Sequence, residues 1–102
     1  MREIKFRAMN LEGKLVYGVT NLNAVGIIKE TLEQYTGLKD KNGKEIYEGD
    51  RLRWGNAYGT VIFYKGSWCY KVDGSSRKDY DILNFYASEH MEVIGNIHEE
   101  VK

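Results

Sequence analysis

The residues that could carry covalent chemistry are few. Cys69 is the sole cysteine, and His90 and His98 are the two histidines. A cysteine nucleophile needs a histidine base within hydrogen-bond reach, and no spacing here brings either histidine to Cys69. Cys69 sits in the apolar run Trp68-Cys69-Tyr70, where a free thiol usually acts as a small buried hydrophobe. Asp40, Asn42 and Glu45 offer oxygen ligands in a short loop, but a calcium-binding EF-hand needs Gly at its sixth position and Glu at its twelfth. Gly74-Ser75-Ser76 lacks the flanking glycines of a nucleophile elbow. The sequence therefore points to no catalytic residue, no metal ligand set and no cofactor, and the expectation is a non-enzymatic protein.

Binding chemistry has more support. Arg51, Arg53, Lys65 and Lys71 are interleaved with Trp54, Tyr58, Tyr64, Trp68 and Tyr70. Small barrels that stack bases on aromatic faces and hold phosphates with cations use this composition. Arg51, Arg53, Lys65, Trp68 and Lys71 are accordingly the candidates for nucleic-acid contact. Two facts weigh against them: a core near 100 residues needs its large aromatics, and the formal net charge is zero, unlike a typical nucleic-acid module.

That zero is a sum of unlike parts. Over residues 51–78, Arg51, Arg53, Lys65, Lys71, Arg77 and Lys78 face only Asp73, a net +5. Over residues 79–102, Asp79, Asp81, Glu89, Glu92, Glu99 and Glu100 face only Lys102, a net −5. Either the two stretches are neighbours in one fold, or they attract between copies, which would suit a homo-oligomer.

The elements that must position these groups are strands. The chain has 102 residues, the size of one domain, and 13% of them are aromatic. It holds eleven glycines and no proline. No apolar run approaches the roughly 20 residues of a membrane span, and Met1-Arg2-Glu3-Ile4 does not begin a signal peptide. With one cysteine there is no internal disulfide, which fits a reducing cytoplasm.

Residues 2–8 alternate, with Ile4, Phe6 and Ala8 set to face a core and Glu3, Lys5 and Arg7 to face water. Asn10-Leu11-Glu12-Gly13 then turns the chain into Leu15-Val16-Tyr17, a hairpin over 2–19. Residues 21–30 mix helical spacing with β-branched residues and are read as extended. Asn42-Gly43 predicts a type I′ hairpin joining Gly37-Leu38-Lys39 to Glu45-Ile46-Tyr47. Thr60–Tyr64 and Trp68–Val72 form the clearest antiparallel pair, turned by Lys65-Gly66-Ser67. Asn84–Ala87 suits one helical turn, and Met91–Ile97 suits a closing strand. About six short strands imply a mainly β, single antiparallel barrel-like domain over residues 1–102, SH3-like or related, with at most a short helix.

Three blocks carry a resemblance. Ile4-Lys5-Phe6-Arg7-Ala8, the long run from Gln34 to Asp50, and Glu92-Val93-Ile94-Gly95-Asn96-Ile97 resemble the YopX family of phage and prophage proteins, in the right order and across nearly the whole chain. The motif positions are Tyr35, Thr36, Gly37, Leu38, Asp40, Asn42, Gly43, Gly49, Asp50, Gly95 and Asn96. Their glycines and aspartates are what tight sheet corners require, so a structural role is expected for them. The chain departs from the family after Ala8, where Met9-Asn10 replaces a tryptophan and an acidic residue. It departs again after Ile97, where His98-Glu99-Glu100-Val101 replaces a tyrosine and Glu-Asn-Pro. The resemblance implies a phage or prophage product in the bacterial cytoplasm and carries no reaction. The preferred expectation is an accessory protein that binds a phage or host protein, or itself, without a membrane; nucleic-acid binding is the alternative.

Overall fold

The computed structural model describes residues 4–20, 26–74 and 80–98. Nine strands occur among them: β1 (Phe6–Met9), β2 (Leu15–Tyr17), β3 (Glu33–Lys39), β4 (Glu45–Tyr47), β5 (Asp50–Trp54), β6 (Ala57–Tyr64), β7 (Ser67–Val72), β8 (Asp81–Ile82) and β9 (Glu92–Asn96). One short helix, α1 (Phe85–Ser88), is capped by the Asn84 side chain, which accepts from the Ala87 amide. The strands form two antiparallel sheets, ordered β2-β1-β3-β4 and β8-β7-β6-β5-β9, and the fold is a mainly β half-barrel. No helix of the described residues is long and apolar enough to cross a membrane.

One turn design is used twice. Asn10 and Asp40 each accept two backbone amides on Oδ1, from Glu12 and Lys14 in the first turn and from Asn42 and Lys44 in the second. The turns end in Gly13 and Gly43, at φ 82° and 82°. Asn42 does not share the positive φ, so this hairpin is not the expected type I′ turn. The Asx side chain makes the loop bonds that a two-residue turn would leave to backbone alone. Positive φ at two consecutive positions occurs instead at Lys65 (51°) and Gly66 (83°), between β6 and β7.

The Thr36-Gly37-Leu38 part of the long block is a kink in β3. Pairing with β4 runs from Tyr35↔Tyr47 to Lys39↔Glu45 with a register shift between. Gly37 adopts φ 88°, while the Thr36 hydroxyl donates to the Ile46 carbonyl and accepts from the Leu38 amide. Across the molecule, Arg51↔Gly95 and Leu52↔Val93 leave Ile94 as the extra residue of a second irregularity.

The sheets meet over a core of Ile46, Leu52, Val61, Leu83 and Met91, with Leu38, Trp54, Trp68 and Tyr70 packed around it. The Asp40 turn is tied to β9, because Asp40 Oδ2 accepts the Val93 amide and Lys41 donates to the Met91 carbonyl. At the β4–β5 corner, the Gly49 amide donates to Val61 and its carbonyl accepts from Ile97.

Two further expectations are corrected. The segment read as extended forms a bridge at Ile27 and a single 3₁₀ turn over Lys29–Thr31, while its residues 21–25 lie outside the described residues. Strict alternation in the first strand also fails: Ile4 is exposed, whereas Arg7, assigned to water, is buried.

Candidate functional site

The burial of Arg7 gathers charged and polar groups inside the fold, with Glu33 and Asp50 buried beside it. Its Nε donates to Glu33 Oε1 at 2.8 Å, and its Nη2 donates to Asp50 Oδ1 at 2.7 Å and to the Glu48 carbonyl at 3.2 Å. The guanidinium lies 4.7 Å from the Tyr47 ring centre, and Tyr17 meets Tyr47 edge to face at 5.3 Å. Asp50 Oδ2 accepts the Tyr47 amide, and Glu33 Oε2 bonds to His98 Nε2 at 2.8 Å. The three sequence blocks therefore converge here: Arg7 from the first, Asp50 and Gly49 from the second, and His98 just after the third. Asn96 Oδ1 accepts the His98 amide and so holds that last turn.

Burial disfavours the Arg7 charge, yet Asp50 and Glu33 outweigh it and hold the guanidinium above its ordinary pKa. Burial likewise pushes the Asp50 carboxyl up, against the opposing pull of Arg7 and the Tyr47 amide. The geometry favours an ionised pair, because both Asp50 oxygens accept hydrogen bonds, one from a guanidinium that stays charged. Glu48 is raised by burial and then by repulsion from Glu33. A cleft of about 230 Å³ opens beside this cluster, with Glu33, Glu48 and His98 in its wall.

The residues weighed for covalent chemistry each have a described partner. Cys69 is raised by burial and then by Asp81, and its thiol faces the carbonyls of Ser67 and Tyr64. His90 bonds to the Tyr86 carbonyl and His98 to Glu33. Asp40 has given both oxygens to backbone amides. Among the described residues no group of three or more His, Cys, Asp or Glu is placed to hold a metal ion.

The nucleic-acid candidates are split between two sheet faces. Register places Arg51, Thr60 and Lys71 side by side on the outer face, joined by the pair Arg53 and Tyr58. Trp68 pairs with Phe63 on the opposite face and packs against the core. Lys65 sits at the β6–β7 turn, 5.3 Å from the Tyr64 ring centre. Arg51 donates to both oxygens of Asp73, and Arg53 donates to Glu92 at 2.6 Å across the β5–β9 pair. The basic and acidic stretches thus meet within one molecule.

Sequence reasoning missed Arg7, Glu33, Glu48 and His98 as a cluster. The available signal was the place of Arg7 inside the first of the three blocks that carry the family resemblance. Alternation hid it, because period two assigns a charged residue to water unless a second layer covers that face.

The comparisons with known proteins bear on the fold and the family. A structure described as the crystal structure of protein EF1440 from Enterococcus faecalis is similar, with a TM-score of 0.68 and 25% identity. The match covers 97% of this chain and 96% of that one. No curated protein matches. The family model described as YopX protein matches residues 5–102, and the chain therefore belongs to the YopX family.

Proposed function

We propose that this protein is a non-enzymatic accessory protein of a phage or prophage, acting in the bacterial cytoplasm as a protein-interaction or self-assembling module. The observation that carries the reading is the pair of exposed aromatic residues Phe85 and Tyr86 on α1, whose N-cap Asn84 lines the groove between the two sheets. Large apolar side chains grouped on a surface typically mark sites of protein contact. The test is capture of partners from induced or infected host cells on the tagged protein, compared with a variant carrying Phe85→Ala and Tyr86→Ala. Partners retained by the wild type and lost by the variant support the reading; identical captures argue against it.

Nucleic-acid binding is the second reading, and the alignment of Arg51, Arg53 and Lys71 with Tyr58 on one outer face favours it. Asp73 and Glu92 already engage the two arginines, so phosphate would have to displace carboxylates. A titration with single-stranded oligonucleotide at low salt, followed by fluorescence, decides it.

A further inference from the structure

A strand at the edge of a sheet offers unpaired amides and carbonyls to any chain that can lie along it, and proteins usually close such edges. Four strands stand at edges here: β2 and β4 in one sheet, β8 and β9 in the other. β9 is closed by the Asp40 turn, where Asp40 Oδ2 accepts the Val93 amide and Lys41 donates to the Met91 carbonyl. At β4, the Asp50 carboxylate takes the Tyr47 amide. β8 is only two residues long.

β2 has no such device. Its bonds to β1 alternate: the Asn10 amide donates to the Lys14 carbonyl and the Gly18 amide to the Phe6 carbonyl, with Ala8 opposite Val16 between them. Leu15 and Tyr17 therefore point N–H and C=O away from β1, and among the described residues nothing bonds to those groups. The strand itself holds no charge and no proline to repel an incoming chain. Where β2 ends, a pocket of about 580 Å³ opens. Ile4, Phe6, Val19 and Leu32 give it apolar walls, and the ammonium of Lys5, its one charged lining residue, is paired with Glu45. Gly18 leaves it unfilled, since a β-carbon there would meet nothing within 4 Å.

We infer that β2 is the docking edge for an extended segment of another polypeptide, which adds a strand to this sheet and seats an apolar side chain in the pocket beside Gly18 and Val19. Alternating donors and acceptors at strand spacing are matched by a polypeptide backbone, and the pocket supplies the side-chain selection that backbone pairing lacks. A second copy of this chain does not fit. Pairing that engages both outward residues of both copies sets Leu15 opposite Tyr17 about a two-fold axis. Continued, that register brings Glu12, Gly13 and Lys14 of the second copy to the pocket end of β2, and Gly13, at φ 82°, bends out of a strand. The apolar pocket would then meet two charged residues. No residue of α1 takes part, so this surface goes beyond the interaction reading above and is tested apart from it.

The test pans a displayed library of random linear peptides against the full chain and follows the enriched peptides by amide hydrogen exchange. Enriched sequences should share a large apolar residue at one fixed position. Their binding should slow exchange of the Leu15 and Tyr17 amides about tenfold or more, as new hydrogen bonds do. Leu15→Pro removes an outward N–H at a position where edge strands tolerate proline. Val19→Glu puts a charge in the pocket and leaves the edge intact. Each should weaken peptide binding about tenfold or more, the effect of a lost hydrogen bond or a desolvated charge. Phe85→Ala with Tyr86→Ala should leave binding unchanged. Circular dichroism of each variant should match the wild type; where one does not, exchange in the wild type decides alone. Failure to enrich any peptide, or binding that leaves both amides exchanging as in the free chain, overturns the inference. Protection of these amides that grows with the concentration of the chain alone makes a second copy the occupant and overturns it too. Binding that survives Val19→Glu overturns the role of the pocket.

Discussion

Gly49 lies against the Glu33 carboxylate so closely that a β-carbon on the glycine would fall 2.8 Å from the Glu33 carboxyl carbon, and nearer still to Oε2. The glycine also holds φ 88°, a conformation strained for any residue with a side chain. Gly43 has φ 82° but open space around it. Gly43→Val should therefore cost about 1–3 kcal/mol from backbone strain alone. Gly49→Val should cost clearly more, because it must also displace a carboxylate held by Arg7 and His98. Chemical denaturation of the two variants side by side measures the difference, and equal losses would mean that Glu33 yields freely.

The arginine on the other side of that carboxylate sets a second expectation. Arg7 is 2% exposed and is bonded to both Glu33 and Asp50. Removing one member of a buried ionic group strands the others without compensation, at a cost of about 3–5 kcal/mol. Arg7→Ala should lose that much by urea denaturation. Arg7→Lys should recover part of it, since a lysine keeps the charge but cannot reach Glu33, Asp50 and the Glu48 carbonyl with one planar group.

These two residues show how far the sequence could be read. Gly43, Asp40 and the β6–β7 pair follow from local chemistry: an aspartate that caps its own turn, glycines at positive φ, and alternating apolar runs. The short helix was legible as one turn over Asn84–Ala87, and the structure makes Asn84 its cap and Phe85–Ser88 its body. Arg7 was not, because its burial depends on Glu33, Asp50 and Tyr47, separated from it by 26, 43 and 40 positions and brought close only by the fold. Opposite charge in the two C-terminal segments was visible as arithmetic. That Glu92 meets Arg53 inside one molecule required the register of β5 with β9.

Glu48 makes a prediction about pH. Its folded pKa lies above the ordinary 4.5, first through burial and then through Glu33. A carboxyl raised on folding adds stability while protonated and loses it as pH rises through its folded pKa. Glu48→Gln should therefore be more stable than the wild type near neutral pH, with the gap closing below pH 4.5. A stability profile of both proteins across mildly acidic pH checks the sign; a variant less stable at neutral pH would contradict it.

Tyr47 carries the alkaline counterpart. Burial, then the nearby Glu45 carboxylate, pushes its phenol up to about 12 from the usual 10.0. The folded protein holds this proton more tightly than the unfolded chain, so stability is lost as pH climbs from 10.0 toward 12. Tyr47→Phe has no proton to lose and should show a shallower alkaline decline. Parallel denaturation curves in this range, with absorbance following tyrosine ionisation, measure it; equal slopes would place the loss on other tyrosines.

The outer face of the five-stranded sheet gives the last prediction. Arg51 and Arg53 are held by Asp73 and Glu92, and the bond from Arg51 keeps the Asp73 carboxyl below its ordinary pKa, so that bond is lost only as strong acid protonates it. In neutral solution both carboxylates compete with any phosphate for the same guanidinium groups. Asp73→Asn with Glu92→Gln removes that competition while leaving the cations and the exposed Tyr58 in place. The double variant should bind single-stranded oligonucleotide more tightly than the wild type at low salt. Its log–log salt dependence should be steeper by roughly one to two, the slope expected for one or two additional phosphates neutralised. If the two proteins bind alike, phosphate does not reach this face, and the aligned arginines serve only to tie β5 to its neighbours.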